Sequence, residues 1–109
     1  DNLHTIKKIC NKIINLRLFP STKKNLELSV KQIKGEILII SQFTLYGDCN
    51  KGNRPSFIGA ANTKHAENIY NELVNYIQKQ DLYVQFGKFG ADMDVHLINN
   101  GPVTIMHEV

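Results

Sequence analysis

Apolar residues recur along this chain with two different periods. Residues 3–16, LHTIKKICNKIINL, place Leu3, Ile6, Ile9 or Cys10, and Ile13 at steps of three and four, with Lys7, Lys8 and Lys12 off that stripe. This spacing predicts an amphipathic helix. The same period returns over residues 63–79, where Ala66, Ile69, Tyr70, Leu73, Val74 and Ile77 form the apolar stripe and Asn62 stands in the N-cap position. His65, in the first turn of that second helix, reads as solvent-facing.

Between the helices lies the stretch from Glu36 to Gly47, EILIISQFTLYG, opened by Gly35. Its unbroken run Ile37-Leu38-Ile39-Ile40 predicts a strand covered on both faces. The run then turns polar while the pattern is still extended. Strand parity puts Gln42 and Thr44 on the face of Leu38 and Ile40, and Ser41 and Phe43 on the other. An apolar half that anchors and a polar half at its mouth can build a site, or can simply be a strand leaving the core.

The remaining elements are shorter. Leu16 to Phe19 reads as an extended piece stopped by Pro20, and Leu26, Leu28 and Val30 alternate as a short edge strand or a loose turn. Residues 48–62, DCNKGNRPSFIGAAN, read as a long irregular loop, either one that supplies positive charge beside a site or an ordinary surface crossover pinned to the core by Pro55 and Phe57. Tyr83 to Phe86 predicts a strand, and residues 87–90 a turn. Met93, Val95 and Leu97 alternate with Asp92, Asp94 and His96, which predicts a half-buried strand over 92–98. A tight turn at Asn99-Asn100-Gly101-Pro102 precedes a last strand over 103–109.

Composition narrows the picture. The 109 residues make one domain, 1–109, and 42% hydrophobic content suffices for one core. No apolar run reaches membrane-span length. The chain opens on Asp1 almost inside a helical pattern, which leads us to expect an incomplete N-terminus. Cys10 and Cys49 have no metal-ligand spacing and read as free thiols of a cytoplasmic protein, with Cys10 in the core. Charge is uneven. Residues 1–54 hold ten Lys/Arg against four Asp/Glu, and residues 55–109 hold three against six. The basic half, with Lys51 and Arg54 behind the polar end of the central strand, suits a phosphate-rich partner.

Familiar catalytic patterns are absent. There is no HExxH, CxxC, P-loop, GxGxxG or GxSxG, and the histidines at 4, 65, 96 and 107 have no ligand spacing, so no metal or cofactor is expected. Asp92 and Asp94 share a strand face but read as solvated. An acyl-transfer site here would lack a Ser-His couple and would work by positioning, backbone donors and a hydroxyl from elsewhere.

Two motifs stand out, Ser41-Gln42-Phe43-Thr44-Leu45 and Asn99-Asn100-Gly101-Pro102-Val103-Thr104. In this order they resemble the signatures of the D-aminoacyl-tRNA deacylase family, SQFTL and N-x-G-P-V-T. RPSF at 54–57 and GKFGADM at 87–93 also look like that family. The resemblance runs over nearly the whole chain, most strongly over 36–109.

The resemblance implies an α/β fold of mixed, largely antiparallel β-sheet layers with two main helices packed on one side. It implies a homodimer that hydrolyses the ester of D-aminoacyl-tRNA, and of glycine mischarged on tRNA. Ser41, Gln42, Phe43 and Thr44 would line the scissile ester. Gly101 and Pro102, in the cis form, would enter the partner's pocket and exclude L side chains by their carbonyls. Phe89, Gly90 and Met93 would hold the adenine. Thr44 is one nucleophile candidate, and assistance from the RNA 2′-hydroxyl is the other. Contacts of Lys51 and Arg54 with acceptor-stem phosphates are an electrostatic inference from this chain. Family members begin with a further strand pair, carrying an Arg that helps to hold the Gly-Pro loop, and this sequence lacks that region. Without it, Leu38 or Ile39 would face solvent. The alternative function is a non-catalytic RNA-binding or interaction module on the same fold.

Overall fold

Helix α1 spans Leu3–Asn15, and the Asn2 side chain caps it by accepting the Thr5 N–H at 3.0 Å. This comes from a computed structural model that describes residues 2–109; Asp1, where the chain opens, lies outside the described residues. Lys12 lies in the last turn, where a cation meets the negative end of the helix dipole. A helix of this length is marginal alone, so its stability comes from the side it buries. That side is Ile6, Cys10 and Ile14, a strict four-residue step. The expected stripe is therefore rotated: Leu3 is exposed and Ile13 only half-buried.

Helix α2 spans Thr63–Gln78 and is capped by Asn62, whose side chain accepts the His65 N–H at 2.9 Å. His65 is exposed, as its first-turn position implies. Tyr70, Val74 and Ile77 are the buried residues of α2. Each large aliphatic side chain so buried is worth about 1.5–3 kcal/mol.

The two helices cover one face of a two-stranded sheet. Strand β1 is Glu36–Ile39 and strand β2 is Tyr83–Phe86, and they run parallel in the register Glu36↔Tyr83 to Ile39↔Phe86. Two strands joined through an intervening helix come back in the same direction, because the helix itself carries the chain back along the sheet. Ile37, Ile39 and Val84 pack onto the cluster of Ile6, Cys10 and Ile77. The α/β character and the two helices on one side are as expected. The antiparallel layering is not: antiparallel pairing among the described residues is confined to the single bridges Phe19↔Leu28 and Asp48↔Ser56.

Three further expectations need correction. β1 is covered on one face only, and Leu38, which points the other way, is 56% exposed. Extended structure also ends earlier than the parity argument assumed. The ladder closes at Gly87 N–H to Ile39 O, 2.8 Å, and Phe43–Tyr46 is a 3₁₀ turn. Finally, neither 92–98 nor 103–109 forms a strand in the structure. The alternation survives only at its start, with Met93 half-buried between exposed Asp92 and Asp94; Ile98 and Met106 are 93% and 95% exposed. A strand exists only where a neighbour accepts its hydrogen bonds, and among the described residues nothing runs beside these segments in register. The radius of gyration, 15.7 Å, accordingly exceeds the ~13 Å of a compact domain this long.

The other short segments behave as their sequence suggests. Leu28 takes the bridge to Phe19, and residues 29–34 turn, with Ser29 and Gln32 exchanging side-chain and backbone hydrogen bonds. Arg17 grips Glu27 at 2.8 Å beside that bridge. No helix among the described residues is long and apolar enough to cross a membrane.

Cys10 has no exposed surface, and burial pushes its thiol from 9.0 to about 11. A raised thiol pKa means that the folded state keeps its proton longer than the unfolded chain does. The folded state is therefore favoured below pH 9, and this advantage is lost as pH rises from 9.0 to about 11. The native chain should lose about 2–3 kcal/mol more stability across that window than Cys10→Ala, measured by urea unfolding at each pH.

Candidate active site

The carboxyl ends of β1 and β2 lie side by side, and both site segments leave the sheet there. Residues 40–44 follow β1 and residues 87–93 follow β2. Gly87 lets them meet. A Cβ on Gly87 would lie 3.0 Å from Ile40 Cδ1 and 3.0 Å from Met93 Sδ, so tight that both side chains would have to move aside. Tyr70 reaches the same junction from α2, donating its hydroxyl to Gly87 O at 2.5 Å, with Ile39 O at 3.3 Å.

Beyond the ladder, Ser41 is half-buried and Gln42, Phe43 and Thr44 are exposed. The 3₁₀ turn overrides strand parity but keeps Gln42 and Thr44 together, since the Gln42 amide donates to Thr44 Oγ1. An amide cannot take a proton, so this contact does not make Thr44 a nucleophile. It leaves the hydroxyl proton of Thr44 free to be donated outward. Phe43 is fixed by an edge-on contact with Phe57, ring centroids 5.0 Å apart at 70°.

Phe57 belongs to the basic loop. Asp48 and Ser56 exchange two backbone hydrogen bonds of 2.7 and 2.8 Å, closing a hairpin with exposed Lys51 and Arg54 at its tip. The loop is therefore more regular than its composition suggests, and it rests on Phe43 rather than on the core. Pro55 is exposed. Lys51 and Arg54 are thereby tied to the far end of the 41–44 segment.

Phe89 is half-buried with its ring 5.7 Å from that of Tyr70, and Gly90 is exposed at φ 71°. Met93 is half-buried against Gly87. An aromatic face and a thioether thus stand next to the Ile40–Ser41 step. The structure brings Ile40, the residue before Ser41, against Gly87 and Met93 within one chain.

The Gly101-Pro102 bond is cis, and Gly101 has φ 124°, a region closed to most L-residues. The turn is stapled by Asn99, the first residue of the second motif and one to which motif reading assigns no role of its own. Its Oδ1 accepts the Val103 N–H at 3.0 Å and its Nδ2 donates to Thr104 Oγ1 at 2.8 Å. The Asn-to-Thr spacing across Gly-Pro was a readable signal of this staple. Both Gly101 and Pro102 are exposed. Residues beyond them, Val103, Ile105 and His107, line a groove with Ile9, Ile13, Leu16 and Leu18. Among the described residues, no three His, Cys, Asp or Glu side chains gather as metal ligands would.

Comparison with known proteins adds to this geometry. The family model described as D-Tyr-tRNA(Tyr) deacylase matches residues 1–108. The chain belongs to that family. It is 49% identical over 106 residues to the D-aminoacyl-tRNA deacylase of Clostridium botulinum (strain Alaska E43 / Type E3), covering 97% of this chain and 71% of that protein. It is 46% identical over 108 residues to the enzyme of that name from Desulfatibacillum aliphaticivorans, covering 99% and 74%. A solved structure, the c-Myc DNA Unwinding Element Binding Protein, superposes with a TM-score of 0.86 at 41% identity over 96% of this chain and 72% of that one.

The Asn99 staple has a measurable consequence. Asn99→Ala should speed hydrogen exchange of the Val103 amide about fivefold, for the loss of about 1 kcal/mol of hydrogen bonding. Asn99→Asp keeps the acceptor and should hold that amide near its native rate, both read by NMR.

Proposed function

We propose that this chain hydrolyses the ester linking a D-amino acid, or mischarged glycine, to tRNA, releasing free amino acid and tRNA as a chiral proofreading step of translation. Membership of the deacylase family carries this reading. The exit of the segments carrying residues 41–44 and 89–93 from the same end of the parallel strand pair supports it, because an aminoacyl-adenosine needs an ester subsite beside an adenine subsite.

The division of labour follows from the chemistry of each group. Ser41, Gln42, Phe43 and Thr44 orient the ester. The free proton of Thr44 is suited to an oxygen that gains negative charge in the transition state. With no base on Thr44, the attacking water draws on the 2′-hydroxyl of the terminal ribose, two atoms away from the ester oxygen. Phe89 and Met93 take the adenine face, and Gly90 leaves space beside it. Lys51 and Arg54 meet phosphates of the acceptor stem.

Chirality is read by a second copy of the chain. The exposed Gly101 and Pro102 of one protomer enter the ester pocket of its partner, where their carbonyls face the α-carbon and leave no room for an L side chain. The exposed apolar residues Leu97, Ile98, Ile105 and Met106 on either side of that turn favour such pairing in a cytoplasmic homodimer. No cofactor enters this scheme.

Incubation with D-Tyr-tRNA and L-Tyr-tRNA should release only D-tyrosine. Hydrolysis of neither, with tRNA still bound, would make the chain a non-catalytic RNA-binding module instead. For the basic loop, Lys51→Ala with Arg54→Ala should weaken tRNA binding and lower the slope of log K against log salt by about two, one per phosphate. An unchanged slope would remove the loop from the phosphates.

A further inference from the structure

Past the last ladder bond, from Gly87 N–H to Ile39 O, the two site segments need another tie. Tyr70 supplies it. The side chain comes from α2, is 9% exposed, and lies across the end of both strands. Its hydroxyl donates to Gly87 O at 2.5 Å, and Ile39 O lies 3.3 Å away. These carbonyls belong to the last strand residue before Ile40-Ser41 and to the first residue before Lys88-Phe89. The Tyr70 ring meanwhile backs the Phe89 ring at 5.7 Å, with 46° between their planes. One residue therefore touches the root of the ester segment and both the root and the aromatic face of the adenine segment.

We propose that Tyr70 is a positioning residue for the deacylation reaction, its hydroxyl fixing the spacing between residues 41–44 and Phe89. The inference rests on the proposed deacylase reading and adds to it a residue that does not itself touch the substrate. Burial raises the Tyr70 pKa, so the hydroxyl remains a donor at neutral pH. The hydroxyl is the part of the side chain that bonds the strand ends, and the ring packs against Phe89. Removing the hydroxyl therefore leaves the packing in place and frees the two segments to drift apart. A shift of about 1 Å between an ester and its orienting groups can cost on the order of 100-fold in rate, far more than one hydrogen bond costs in stability.

Tyr70→Phe separates the two effects. Measured on D-Tyr-tRNA, kcat should fall at least tenfold, with KM within twofold of native, because the phosphate contacts are untouched. The melting temperature should drop by only a few degrees. Val74→Ala, one turn along the same buried face, should lower the melting temperature more and leave kcat within twofold. A Tyr70→Phe enzyme with kcat within threefold of native would overturn the proposal, as would an equal loss of kcat in Val74→Ala. If the native chain itself hydrolyses no D-Tyr-tRNA, the deacylase reading fails first and takes this role with it. An active native enzyme with an unimpaired Tyr70→Phe variant defeats the positioning role alone.

Discussion

Burial of one small apolar surface sustains the rest of the structure. Ile6 and Cys10 of α1 and Ile77 of α2 meet Ile37, Ile39 and Val84 of the strand pair. Each element is weak alone: a thirteen-residue helix, a sixteen-residue helix, and two strands of four residues each. None reaches independent stability in water. Their mutual burial is what lets a four-residue parallel pair persist, and the parallel pair brings both site segments out at the same end of the sheet.

From that end the geometry is set by small residues and one large one. Gly87 allows Ile40 and Met93 to close in, and Tyr70 spans the strand ends from the helix behind. The proposed ester and adenine segments are thus rooted in the ends of two strands although their own residues lie on turns and irregular chain. This suits a site with no strong base, where rate depends on where groups stand and on dipoles aimed at developing charge. The Gly101-Pro102 turn is organised differently. Its geometry is local, held by Asn99, and its neighbours are exposed, which is the expected condition of an element that acts on another molecule.

Much of the architecture was legible in the pattern of the chain. Both helices, the Asn62 cap of the second, the strand of residues 83–86 and the buried Cys10 follow from spacing and residue type. The family was legible as well, because SQFTL and N-x-G-P-V-T occur in the same chain in the order the family has them. What failed were inferences that needed to know a neighbour. Four aliphatic residues in a row suggested double coverage of β1, yet only one face received helices, and Leu38 is exposed as the sequence without the family's N-terminal strand pair implied. Alternation over residues 92–98 predicted a strand, yet alternation records which side a residue would face and not whether a partner is present. Parity through Thr44 failed because Phe43–Tyr46 closes into a 3₁₀ turn once the ladder ends at Ile39.

The sequence by itself determined local order and the family, since periodicity, caps and contiguous motifs are properties of neighbours along the chain. Only the tertiary structure decided that the strands run parallel and that the chain leaves both at the same end of the sheet. It alone also showed Tyr70 joining those two ends. The Tyr70 bonds link residues seventeen and thirty-one positions apart, and the strand register links residues 47 apart. No local spacing encodes such contacts, because they exist only after the apolar faces of α1 and α2 have found the sheet.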